Sequence, residues 1–256
     1  MHRTRRPLLA LSAALALLLT ACGGGEGPSL AKEKTPREVT SLPTTTAPVR
    51  GEYIVQATVP SLAVYKEPGA TTPVQEFPNP WYYETDVAQK YPINSVFYSD
   101  DQRNGWVKIL LPVRPNGSSG WVKASDVRLI PSRFRIEVDL SENRLTVYDG
   151  DAVFLDDTVA VGAPATPTPE GTFYLRVLIK APDPTTVYGP YAYGLSSHSE
   201  TLEEFNGGDA QTGIHGNNDT SQLGRDVTAG CIRMSNEKVT RLASTLPLGT
   251  PVVVRG

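Results

Sequence analysis

From Phe134 the chain alternates without a break. Phe134, Ile136, Val138 and Leu140 are apolar, and Arg135, Glu137 and Asp139 between them are charged. A period of two belongs to a strand with one buried and one wet face. "NRLTVYDGD" repeats the pattern after a turn, and "DTVAVG", "GTFYLRVLI", "YAYGLS" and "TGIHG" continue the strand-and-turn rhythm. One helix is predicted, with Ser235 or Asn236 as N-cap and "EKVTRLAST" as its body. "TPVVVR" closes the chain as a strand. Residues 132–256 therefore read as a mostly β domain with few short helices.

Residues 51–131 show the same rhythm with shorter beats. "EYIVQATV", "LAVYKEP", "SVFYSD", "GWVKILLP" and "GWVKASDVRLI" are rich in β-branched and aromatic residues, with Pro, Gly and Asn between them. "GWVK" occurs at 105–108 and again at 120–123, around the turn-forming "PVRPNGSS", which predicts a hairpin. This spacing resembles a bacterial Src-homology-3-like barrel. All three tryptophans fall here. Trp106 and Trp121 read as barrel core, whereas Trp81, in a Pro-rich loop, is a docking surface or packs on the next domain. Residues 23–50 are rich in Gly, Pro and Thr, lack apolar periodicity, and read as a flexible linker.

The first residues bear on the compartment. "MHRTRRP", a short apolar run and "LTAC" have the plan of a secretory leader, too short to span a bilayer. "Leu19-Thr20-Ala21-Cys22" resembles a bacterial lipobox. That implies a signal peptide over 1–21, lipidation of Cys22, and a membrane-anchored protein on the extracytoplasmic face. The whole chain carries a net charge of −3. Residues 1–21 hold Arg3, Arg5 and Arg6 and no carboxylate, so removing them leaves −6. That balance argues against a nucleic-acid partner, whose binding needs basic patches.

Lipidation would leave Cys231 as an exported thiol with no disulfide partner, hence a candidate reactive group. His215 lies 16 residues upstream. A thiol is a weak nucleophile until deprotonated, and an imidazole can take the proton. Gly216 and Gly230 beside the two residues leave backbone room for a substrate. Spacing alone is a weak signal. The wording is stronger: "IHGNN" followed by "TAGCIRMSN" closely resembles the signature of the L,D-transpeptidase (YkuD-type) catalytic domain. Thr228, Gly230, Cys231, Ile232, Arg233, Met234 and Asn236 each fill a matching position, and Asn217 stands where many members have Thr.

The resemblance implies an enzyme that acts on peptidoglycan stem peptides and forms 3-3 cross-links. Cys231 would be the nucleophile and His215 the general base and then acid. The Gly216 carbonyl would orient the ring, and Cys231 with Gly230 would offer backbone oxyanion donors. It also implies acylation by carbapenems. L,D-carboxypeptidase activity, with water as acceptor, and a non-catalytic peptidoglycan-binding module remain as alternatives. No cofactor is expected, and Glu203, Glu204, Asp209 and Asp219 lack metal-ligand spacing.

The remaining positions carry weaker expectations. Arg233 reads as a supporting residue, with stem-carboxylate binding as the other option. His198 is a substrate contact or a solvated loop residue. Asn217, Thr228 and Tyr193 are candidates for the substrate cleft, although tyrosines on strands more often belong to core or wall. Asn236 reads as a helix cap, whose helix would favour a thiolate if aimed at the loop. The polar loops "KAPDPTTVYGP" and "SETLEEFNGGDAQ" are candidate lids.

Overall fold

Strands build two hydrophobic cores, the longer ones at the predicted places; Trp81, read as a loop residue, instead opens the short strand Trp81–Glu84. The computed structural model describes residues 51–84 and 90–256, so the leader, Cys22 and the linker lie outside the described residues. Ten short strands make an N-terminal lobe: β1 (Tyr53–Ala57), β2 (Ser61–Val64), β3 (Gln75–Pro78), β4 (Trp81–Glu84), β5 (Lys90–Ile93), β6 (Val96–Ser99), β7 (Asp101–Arg103), β8 (Trp106–Leu110), β9 (Ser119–Lys123) and β10 (Val127–Pro131). β1 lies between β10 and β6, and β7, β8 and β9 form a second three-stranded sheet.

The doubled "GWVK" is the β8–β9 hairpin, with Trp106 opposite Lys123 and Trp121 opposite Lys108. Trp121 is buried, with the Arg103 guanidinium 5.3 Å from its ring. Trp106 is half-buried and meets Tyr65 edge-on at 5.1 Å. Trp81 turns to the second lobe, where the Arg176 guanidinium stacks 4.4 Å from its ring.

The second lobe is mostly β with one helix. Its strands are β11 (Phe134–Asp139), β12 (Arg144–Asp149), β13 (Ala152–Thr158), β14 (Val161–Gly162), β15 (Gly171–Lys180), β16 (Tyr191–His198), β17 (Gln211–His215), β18 (Asp226–Thr228), β19 (Ile232–Arg233) and β20 (Pro251–Arg255). The helix α1 spans Asn236–Ala243. Eight strands form one sheet in the order β13-β12-β11-β20-β15-β16-β17-β19. The last strand of the chain thus lies inside the sheet, parallel to β11, with Val138 opposite Val254.

The alternation read at 134–140 is the burial pattern of β11: Ile136 and Val138 are fully buried. They pack with Leu145, Val147, Phe173, Ile214 and Ile232. Val239 and Leu242 bring the apolar face of α1 onto the same core. Each buried aliphatic side chain contributes about 1.5–3 kcal/mol by removal from water.

The two lobes fall within one compact unit. Tyr174, on β15 of the second lobe, is fully buried in the core of the first, among Val55, Leu62, Phe97 and Ile109. Among the described residues no helix is long and apolar enough to cross a membrane.

Candidate active site

The parallel pairing of β17 with β19 places Ile214 opposite Ile232 and His215 opposite Arg233. Both isoleucines are fully buried in the core. Side chains alternate across a strand, so Gly213 and His215 share the other face with Cys231 and Arg233. Stepping the register back one residue puts Cys231 beside Gly213, whose backbone hydrogen-bonds the thiol. Gly213 has no side chain to fill the space between Cys231 and His215. Two β-branched core residues therefore fix the register, and the register sets thiol and imidazole, 16 residues apart in the chain, on one face.

His215 is buried, and its Nδ1 lies 2.6 Å from the Gly216 carbonyl oxygen. A carbonyl only accepts, so Nδ1 carries the proton and donates it. Nε2 is left as a lone-pair base. Burial pushes the imidazole down to about 4; the Gly216 bond raises it, and the Arg233 charge lowers it. The ring is therefore neutral at pH 7. Burial also pushes the Cys231 thiol up, and the Gly213 bond and Arg233 only partly offset this. The resting pair is a neutral thiol beside a neutral imidazole. The start of α1, expected to favour a thiolate if aimed at the loop, is not among the influences that lower the Cys231 pKa.

The loop holding the histidine is fastened by Asn236. Ser235 is the N-cap residue of α1, but its side chain makes no capping bond. Asn236, expected as a cap, is the first helical residue, and its Oδ1 accepts from the Asn217 amide at 2.8 Å. The same oxygen sits where a side chain on Gly216 or Gly189 would have to go, so only glycines allow this approach.

Asn217, a candidate substrate contact, is itself buried and committed to the loop. Its Oδ1 accepts from the Asp219 amide at 3.1 Å, and its Nδ2 donates to the Asp219 carbonyl. An Asx turn has used the polar side chain that the sequence offered to substrate.

The thiol loop is built in the same way. Gly230 has φ +111°, a region closed to most side chains. Thr228 Oγ1 donates to the Cys231 carbonyl at 2.6 Å and accepts from the Gly230 amide at 3.2 Å. Thr228 thus braces the turn instead of facing the cleft, and the Gly230 N–H already has an acceptor. From below, Thr168 Oγ1 donates to the Gly230 carbonyl at 3.0 Å, and Thr166 Oγ1 donates to that of Thr228 at 2.9 Å. Arg233 hydrogen-bonds Gln222, and its backbone pairs with Ala160 in both directions at 2.8 Å.

Two sequence candidates lie elsewhere. Tyr193 is a core residue whose hydroxyl donates to the Leu242 and Leu246 carbonyls, so it anchors α1. His198 is neither a solvated loop residue nor in the cleft. It pairs with Gln211, is buried, and hydrogen-bonds Asp209 through Nε2 at 3.0 Å. Burial chiefly lowers its pKa.

The sequence reading missed Tyr188. Its ring lies 4.9 Å from that of His215, tilted by 56°, and covers the imidazole. Only its place in a candidate lid hinted at this. Among the described residues no cluster of His, Cys, Asp and Glu is arranged to hold a metal.

Comparison with known proteins supports the reading of the second lobe. A family model described as YkuD, the L,D-transpeptidase catalytic domain, matches residues 133–254. A Bacillus licheniformis protein named for L,D-transpeptidase YkuD is 34% identical over 152 residues, covering 57% of this chain and 84% of that protein. Its Bacillus subtilis namesake is 33% identical over 121 residues, covering 47% and 65%. Among solved structures, L,D-transpeptidase 3 of Mycobacterium tuberculosis with a faropenem-derived adduct is 14% identical, covers 59% of this chain and 91% of that chain, and has a TM-score of 0.41. With this extent of match, the chain belongs to the L,D-transpeptidase (YkuD) catalytic-domain family.

Proposed function

We propose that the protein is a cysteine L,D-transpeptidase that forms 3-3 cross-links between peptidoglycan stem peptides. The observation that carries this is the β17–β19 pairing: it sets Cys231 and His215 on one face, with the ring tautomer fixed by Gly216. The donor is a tetrapeptide stem whose third residue is a diamino acid. As the Cys231 sulfur attacks the carbonyl between that residue and D-Ala, Nε2 of His215 takes the thiol proton. The carbon–sulfur bond forms, the carbon–nitrogen bond breaks, and the imidazolium gives its proton to the departing D-Ala amine. The side-chain amine of a second stem then attacks the thioester. Its proton passes through His215 to the released sulfur.

A neutral thiol–imidazole pair suits this cycle, because the proton moves only when the carbonyl is in place. The Cys231 N–H is the better oxyanion donor, since the Gly230 N–H is bound to Thr228. Arg233 supports the site by its positive field and its hold on the Ala160 segment. We further propose that Cys22 is the lipid anchor and that the enzyme works on the outer face of the cell membrane, as the leader sequence suggests.

Intact-mass measurement after carbapenem treatment tests the central claim. One adduct is expected on the native protein and none on Cys231→Ala; absence of an adduct on the native protein rejects it. Incubation with a tetrapeptide-stem disaccharide then identifies the acceptor: cross-linked dimer means an amine, and free tripeptide means water and a carboxypeptidase.

A further inference from the structure

The turn between the two "GWVK" strands reaches out of the N-terminal lobe into the loop that precedes β17. Arg114, in this turn, donates from Nη1 to the Asp209 carbonyl at 2.8 Å. Its Nη2 donates to the Ser199 and Leu202 carbonyls at 3.1 and 2.8 Å. One guanidinium thus gathers three carbonyls from both ends of the segment 199–210. Its planar fork allows this, and a lysine ammonium would not reproduce it.

Asn116, two residues on, pairs like a strand neighbour with the end of β16. Its Nδ2 donates to the His198 carbonyl at 2.8 Å, and its Oδ1 accepts from the His198 amide at 2.9 Å. The His198–Asp209 bond ties the base of the same loop.

From there the contacts run to the active site. At the loop tip, Phe205 and Gly208 exchange backbone hydrogen bonds at 3.0 Å around Asn206 and Gly207. Asn206 Nδ2 donates to the Tyr188 hydroxyl at 3.1 Å. The Tyr188 ring lies against His215. The other groups bearing on that imidazole are Arg233 from β19, Cys231 on the shared face and the Gly216 carbonyl.

We infer that Arg114 is a positioning residue: through the loop 199–210 and the Asn206–Tyr188 bond, the N-terminal lobe holds the aromatic cover on His215. This rests on the proposed role of His215 as the base. It gives the N-terminal lobe a task in the reaction beyond that of a spacer. With the cover in place the imidazole stays dry, neutral and fixed against the thiol. With the cover loose, water reaches the ring and the imidazolium becomes easier to form.

The test is an NMR titration of the His215 ring protons in the whole protein, beside the rate of carbapenem adduct formation and the melting temperature. In Arg114→Met, the His215 midpoint is expected to move up from about 4 towards its ordinary value of 6.5. Adduct formation is expected to slow on the order of tenfold, the cost of about one lost hydrogen bond in the aligned state.

Arg114→Lys should fall between Arg114→Met and the native protein. Tyr188→Phe keeps the ring but removes the bond to Asn206, and should shift His215 in the same direction. It serves equally if the arginine variant does not fold. A purely structural brace would lower the melting temperature without moving the titration, and that result overturns the inference. A shift in Arg114→Met without one in Tyr188→Phe overturns the route through Tyr188. Titration needs no turnover, so a native protein that takes no carbapenem would sink the proposed function while the coupling remained measurable.

Discussion

At the scale of single residues, the site is organised by side chains that leave cleft duty to others. Thr228, Asn217 and Asn236 all bond to backbone, and together they hold the two loops that carry Cys231 and His215. Polar residues next to catalytic groups look like substrate ligands in a sequence. In the fold, the buried N–H and C=O groups of tight turns claim them first, because an unpaired buried amide costs about 1–3 kcal/mol.

The buried histidine makes a further prediction at this scale. Its folded midpoint is depressed to about 4 from an ordinary 6.5. Between those values the unfolded chain binds a proton that the folded chain does not. Stability is therefore intact above pH 6.5 and falls as the pH is lowered towards 4, by up to about 3 kcal/mol from this residue. Urea denaturation of the native protein and of His215→Gln, from pH 7 to 4, should show the smaller acid loss in the variant. Parallel pH dependences would contradict the buried neutral ring.

At the scale of elements, β17, β19 and α1 form the working unit. β19 is two residues long, and its register depends on the burial of Ile232 beside Ile214. α1 is pinned by the Tyr193 hydroxyl through two carbonyls at its C-terminal end. Tyr193→Phe removes that pin, while the Leu242 carbonyl keeps its bonds from the Thr245 and Leu246 amides. A loss of about 1–3 kcal/mol in chemical denaturation is expected, with carbapenem acylation little changed. A strong loss of acylation at unchanged stability would return Tyr193 to the cleft.

The longer strands were legible from apolar alternation and the helix from its N-cap signal, whereas short strands such as β4, β7, β18 and β19 went unread, because two to four residues leave no period to recognise. The strand partners were not legible either, because pairing depends on residues far apart. Nothing in the local pattern of "TPVVVR" says that it lies between β11 and β15.

At the scale of the molecule, the two lobes are bound by more than a linker. Tyr174 completes the N-terminal core, Arg176 stacks on Trp81, and Arg114 and Asn116 hold the second lobe's loop. Removing residues 51–131 would bare Tyr174 and free the loop 199–210. The fragment 132–256 is expected to melt well below a chain that keeps both lobes, and to associate through the bared face. Equal melting temperatures and a monodisperse fragment would mean that the lobes are independent. The doubled "GWVK" announced a hairpin, but only the fold revealed that its turn is aimed at the neighbouring lobe.

The sequence by itself determined the β-rich class, the single helix and the Cys231 and His215 motifs, because alternation, capping signals and motif chemistry are local properties of the chain. The tertiary structure decided the rest. It assigned Tyr193 to the core, Asn217 and Thr228 to the loops and His198 to the lobe junction. It placed Tyr188 over the His215 ring and Arg114 at the end of the contacts leading to it. Those outcomes depend on which buried backbone groups lack partners and which surfaces meet, and both are fixed only when distant segments pack.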